Sequence, residues 1–222
     1  MLDFIQLDTG PHPRWAMIWL HGLGASGHDL SPLIDELTLP HWPALRCIFP
    51  HAPLRALTVN GGLQLPGWYD IVSTDLTHGV DRSGIMASVS QVQQLINTVG
   101  RQGFSPHRLF IAGFSQGGVI ALHTGIRHAD PLAGMIGLST YLPDLADTDH
   151  PTAAIASNQR VFLGHGLNDP IVPLSLVQDA AQWLRDRHYL LHWETFSMGH
   201  HICPEEILAI QQWLEPCFQN NA

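Results

Sequence analysis

The chain contains no lysine. Its basic charge rests on ten arginines set against nineteen acidic residues, for a net charge of −9. Phosphate backbones are held by clustered Lys and Arg, so no nucleic-acid partner is expected. No polybasic segment is present to grip an anionic membrane surface either. Long apolar runs are also missing. A stretch such as Ala16–Leu20 is far short of the roughly 20 residues that span a bilayer, so no stable membrane insertion is expected. Met1–Arg14 lacks a basic segment followed by an apolar run, and no secretory signal is expected there. Cysteine is scarce: Cys47, Cys203 and Cys217 are odd in number and lack metal-like spacing, which argues against a disulfide framework. The fifteen histidines are scattered, with no H-E-x-x-H or Cys/His cluster, so no metal is expected. Repeats and low-complexity segments are absent. These absences point to a cytoplasmic location and are compatible with a homodimer.

What is present is ordinary globular material. With 222 residues, 45% of them hydrophobic, the chain can bury one substantial core, and residues 1–222 are expected to form a single domain. Short apolar runs at Trp15–Leu20, Leu45–Phe49, Leu109–Ala112, Ala133–Leu138, Arg160–Gly164 and Leu190–Phe196 read as strands, several of them continuous enough to be buried on both faces. Between them lie helical patterns at Leu30–Leu37, Gly84–Gln102, Gly117–Arg127, Leu174–Arg187 and Glu205–Leu214. Strand–helix alternation predicts one α/β fold, a mostly parallel central sheet with helices on both faces. The segment Pro50–Ser83, rich in Pro, Gly and polar residues, is too long for a connector and is expected to be a functional loop region near the site.

The strongest chemical signal is Gly113-Phe114-Ser115-Gln116-Gly117-Gly118, which follows an apolar strand and precedes a helical run. That is the context of a G-x-S-x-G nucleophile elbow, where a strained turn exposes the serine hydroxyl. A plain glycine-rich turn would need none of the partners that follow. A serine hydroxyl is a weak nucleophile and needs a base, and in such folds the acid and then the histidine come after the serine. Asp169 lies just past the strand Arg160–Gly164, where open sheets place their sites. Its plainer alternative is a turn aspartate before Pro170; the rival acids Asp144, Asp147 and Asp149 follow no comparable strand. The strand Leu190–Phe196 runs into His200 and His201, either of which position alone allows as the base. For the oxyanion, Gln116 supplies one amide by position. The glycine-rich loop His21–Gly27 is the source of a second, and it lacks the lysine of a phosphate cradle.

The chain resembles the bacterial carboxylesterase and acyl-protein thioesterase family, a phospholipase/carboxylesterase family of α/β-hydrolases. The carriers are Leu20–Gly24, Pro50–Pro53, Trp68–Ile71, Gly113–Gly118, Leu138–Pro143, His165-Gly166 with Asp169 and Val172-Pro173, and Met198-Gly199-His200. The resemblance implies an α/β-hydrolase fold with no large lid domain and no cofactor. It implies His200 as base, oxyanion amides at Leu23 and Gln116, and Trp68, Tyr69 and Leu142 along the substrate groove. On local pattern alone, Trp68 reads as a packing aromatic. The implied function is a serine hydrolase of carboxylic esters or acyl thioesters, in which Ser115, His200 and Asp169 act through an acyl-serine intermediate. Its substrate is a small ester or an acylated peptide or lipid. A binding protein that kept the fold without the chemistry is the competing class.

Overall fold

The computed structural model describes residues 2–143 and 156–219. Asp144, Asp147 and Asp149 lie outside the described residues. In chain order the strands are β1 (Phe4–Asp8), β2 (Trp15–Leu20), β3 (Leu45–Pro50), β4 (Leu54–Leu57), β5 (Leu63–Pro66), β6 (Leu109–Phe114), β7 (Gly134–Leu138), β8 (Arg160–Gly166) and β9 (Leu190–Phe196). The helices are α1 (Gly27–Leu30), α2 (Leu33–Leu37), α3 (Arg82–Gly100), α4 (Gln116–Ile126), α5 (Leu174–Asp186) and α6 (Pro204–Gln219).

Seven strands form one sheet in the order β1-β3-β2-β6-β7-β8-β9. All neighbours run parallel except β1, which is antiparallel to β3. The six expected strands are all in it. Of these, β9 lies at the edge and is largely exposed or half-buried, whereas the other five are inner strands whose apolar runs are covered on both faces. Alternate residues of β2 show this: Ala16, Ile18 and Leu20 join the core under α3, α4 and α5, whereas Trp15, Met17 and Trp19 join the core under α1, α2 and α6. The helical stripe expected at Gly84–Gln102 is α3, whose Ile85, Val89, Val92, Ile96 and Val99 are buried. Asp81 starts it by accepting from the Gly84 amide at 2.9 Å.

Three local expectations change. Leu30–Leu37 is not one helix but two short ones, because Pro32 between them supplies no amide to continue the ladder. Strand β1 was not expected: its sequence Phe-Ile-Gln-Leu-Asp is only half-buried and shows no apolar run. It is held at the sheet edge by β3 and by Arg46, which grips Asp8 through Nε at 2.9 Å and a second nitrogen at 2.7 Å. The region Pro50–Ser83 contains a separate antiparallel hairpin, β4–β5, followed by the loop that carries Trp68 and Tyr69. Among the described residues no helix is long and apolar enough to cross a membrane.

Parallel strands end at one edge. The carboxyl ends of β2, β6, β7, β8 and β9 therefore deliver His21, Ser115, Ser139, Leu167 and Ser197 to the same side of the sheet.

Candidate active site

Ser115 sits between β6 and α4 with φ +53° and ψ −121°. Side-chain crowding disfavours that backbone region for any residue but glycine. The surroundings impose it. The Ser115 amide donates to the Leu138 carbonyl at 2.9 Å, and Thr140 Oγ1 donates to the Ser115 carbonyl at 2.7 Å. Two glycines make the tight approach achievable. A Cβ on Gly113 would lie 2.3 Å from the Gly117 backbone, and one on Gly117 would lie 2.1 Å from the Leu20 carbonyl oxygen. The sharp turn thus presses α4 against the end of β2, where the next loop begins.

Ser115, His200 and Asp169 come together in one hydrogen-bonded line. His200 Nε2 is 2.9 Å from Ser115 Oγ, and its Nδ1 is 2.7 Å from Asp169 Oδ2. A carboxylate only accepts, so Nδ1 carries the ring proton and Nε2 presents its lone pair to the serine hydroxyl. The other oxygen of Asp169 accepts from the amides of Ile171 at 2.8 Å and Val172 at 2.9 Å. Burial pushes the Asp169 carboxyl up, but the His200 bond and these two amides outweigh it and hold it below the usual carboxylate range. Its side chain is 0% exposed, against 17% for His200. Solvent therefore reaches the imidazole and not the acid. Nearby His165, fully buried, donates from Nε2 to the Val172 carbonyl at 3.0 Å and closes the turn that carries Asp169. Of the two adjacent histidines, only His200 meets Ser115 and Asp169; His201 is exposed at the rim of the cavity.

Leu23 and Gln116, the two expected oxyanion donors, line the same cavity as Ser115. Gln116 opens α4, so its N–H has no partner within the helix. The loop bearing Leu23 is braced by residues that pattern reading did not single out for that role. His21 Nδ1 donates to the Gly22 carbonyl at 2.7 Å, and its Nε2 accepts from the Ala52 amide at 3.0 Å. That pair of bonds defines one neutral tautomer, and burial holds the ring's pKa below the ordinary histidine value. Trp68 Nε1 donates to the His21 carbonyl at 2.8 Å. The Gln116 side chain accepts from the Trp68 amide at 2.8 Å and donates to the Tyr69 carbonyl at 2.7 Å. Both candidate oxyanion donors are thereby tied to the same buried tryptophan.

A cavity of about 550 Å³ opens above Ser115. Leu23, Tyr69, Ile71, Leu76, Phe114 and Tyr141 are among the residues that give it an apolar wall, and among the described residues no arginine lines it. The structure does not bring Trp68 or Leu142 to this cavity. Trp68 is turned inward by its bond to the His21 carbonyl, and Leu142 is packed in the core. Their neighbours Tyr69 and Tyr141 face the cavity instead.

The sequence of the family described as phospholipase/carboxylesterase matches this chain over residues 4–218. Acyl-protein thioesterase 1 of Mycosarcoma maydis is 32% identical over an alignment that covers 93% of this chain and 92% of that protein. Among solved structures, Zea mays acyl-protein thioesterase 2 superposes with a TM-score of 0.81 at 27% identity, covering 96% of this chain and 99% of the other. Arabidopsis thaliana SOBER1 gives 0.82 at 26% identity over 92% and 99%. A G-x-S-x-G elbow on a mostly parallel sheet, with matches along nearly the whole length, shows that the chain belongs to the phospholipase/carboxylesterase family of α/β-hydrolases.

Proposed function

We propose that this chain is a serine hydrolase that cleaves carboxylic esters or acyl thioesters through an acyl enzyme on Ser115. The observation that carries this is the unbroken line from Ser115 Oγ to His200 Nε2 at 2.9 Å and from His200 Nδ1 to Asp169 at 2.7 Å. His200 Nε2 takes the hydroxyl proton as Ser115 Oγ attacks the acyl carbon. Asp169 keeps the ring oriented and stabilises the imidazolium that forms. The amides of Leu23 and Gln116 receive the oxyanion, where each donor is worth about 10²–10³ in turnover. Collapse breaks the bond to the leaving oxygen or sulfur, which takes the proton from Nε2. A water deprotonated by His200 then attacks the acyl carbon. The acid departs and the proton returns to Ser115.

An apolar cavity without arginine favours a hydrocarbon-rich acyl group and a leaving group that is not anionic. The thioesterases among the relatives favour acylated peptides as one substrate class. Cys47, Cys203 and Cys217 form no disulfide, which suits a reducing cytoplasm.

A fluorophosphonate probe should label Ser115, and p-nitrophenyl butanoate should be turned over by the native chain and not by Ser115→Ala. Failure of the probe to modify Ser115 would favour a binding protein instead.

A further inference from the structure

Two phenols, Tyr69 and Tyr141, stand among Ile71, Leu76 and Val172 in the wall of the cavity. Tyr69 is 2% exposed and Tyr141 is 7% exposed, and both line the space above Ser115. Their hydroxyls meet at 3.3 Å. That is long for an O–H···O bond, whose usual limit is about 3.0 Å. Burial pushes both phenols up, Tyr69 well above the ordinary tyrosine range, so both stay protonated. Two hydroxyls bring two protons, and only one fits between the two oxygens. The other finds no acceptor among the described residues.

The pair is not needed to brace the loops it joins. The Tyr69 backbone is already held by Gln116, and Thr140, next to Tyr141, is anchored on the Ser115 carbonyl. Buried hydroxyls are nearly always satisfied in folded proteins, so the spare donor points to a ligand that completes it. An acyl chain that fills the cavity excludes solvent from its wall. A plain hydrocarbon chain then strands the proton, whereas a chain with an oxygen at that depth accepts it. Sites built around a hydroxyl contact reject analogues lacking the partner more strongly than apolar pockets reject a missing methylene.

We propose that Tyr69 and Tyr141 select acyl groups that carry an oxygen acceptor, as a hydroxyl, keto or ether group a few atoms beyond the scissile carbonyl. This rests on the esterase reading of Ser115 and names the acyl class that the site takes.

The test is an oxygen scan through a six-atom acyl chain. The p-nitrophenyl esters of hexanoate, 2-propoxyacetate, 3-ethoxypropanoate and 4-methoxybutanoate are compared by kcat/KM. Each value is divided by that ester's hydroxide-catalysed rate to remove inductive activation. At least one ether should exceed hexanoate by about tenfold, the selectivity expected when a buried donor gains rather than loses its acceptor. In Tyr69→Phe and Tyr141→Phe the ratio should fall towards one. The proposal is overturned if no ether exceeds hexanoate with the native chain, or if the preference survives both substitutions. Hexanoate turnover at Ser115 with no ether preference would refute this selectivity alone. Absence of all turnover, with Ser115 unlabelled, would refute the esterase reading itself.

Discussion

Replacing Ser115 by alanine and by glycine separates chemistry from backbone strain. Both substitutions remove the hydroxyl that meets His200 at 2.9 Å, so that loss cancels in a comparison of the two. What differs is the backbone. At φ +53° and ψ −121° a residue with a Cβ carries about 1–3 kcal/mol of strain, which glycine relieves. Against that, glycine's freer unfolded chain costs about 0.4–1 kcal/mol. The balance favours Ser115→Gly over Ser115→Ala by about 1 kcal/mol, or about 2–4 °C in Tm for a chain of this size. At an ordinary backbone position the sign reverses, and alanine is the more stable by about 0.4–1 kcal/mol. Thermal unfolding of both variants followed by circular dichroism distinguishes the two cases by sign. Ester hydrolysis should be lost in both. Equal or greater stability of Ser115→Ala would refute the claim that the elbow stores strain, and normal turnover in either variant would refute the nucleophile.

Asp169→Asn should leave the fold intact and lower kcat by about 10³–10⁴, because the imidazolium loses its charged partner and the ring its tautomer control; steady-state kinetics showing less than a tenfold loss would contradict the role given to Asp169. Gly117→Ala places a methyl 2.1 Å from the Leu20 carbonyl oxygen. It should cost about 1–3 kcal/mol and about 10² in turnover as Ser115 shifts from the Leu23 loop; an unchanged kcat and Tm would show that the close approach is not needed. Glu206 is fully buried and neither carboxyl oxygen has a partner among the described residues, so burial pushes its pKa up from 4.5 to about 8. The folded chain keeps this proton where the unfolded chain has lost it, so stability falls as pH rises from near 4.5 to about 8. The slope is at most about 1.4 kcal/mol per pH unit. The Tm difference between the native chain and Glu206→Gln should therefore grow steadily in the variant's favour from pH 5.5 to 8, and parallel curves would show that Glu206 does not titrate in this window.

How far the sequence speaks depends on how local each determinant is. Ser115, Asp169 and a base at His200 or His201 were legible because each follows a strand, and parallel strands must all end at the same edge. The five inner strands were legible for a related reason, since a run like Phe162 with Leu163 has no solvent face to spare. Strand β1 was not, because Phe4–Asp8 becomes a strand only through β3, some forty residues later, and through the Arg46–Asp8 grip.

The two histidines show where locality stops. His200 and His201 follow the same strand, and spacing alone cannot say which ring turns inward. That is decided just past the paired ends of β8 and β9, where the Leu167 amide bonds the Phe196 carbonyl and the Asn168 amide bonds the Met198 carbonyl, at 2.8 and 3.0 Å. These bonds bring the loop bearing His200 beside the one bearing Asp169. The cavity wall is less local still. Trp68 and Tyr69 are adjacent in sequence, yet one is drawn inward by the His21 carbonyl and the other faces the acyl space. Leu142 and Tyr141 divide in the same way. A motif can therefore name the segment that forms a wall, but which side chain meets the substrate depends on hydrogen bonds made by distant backbone. For the same reason the acyl selectivity of this chain turns on a contact between residues 69 and 141 that no local pattern contains.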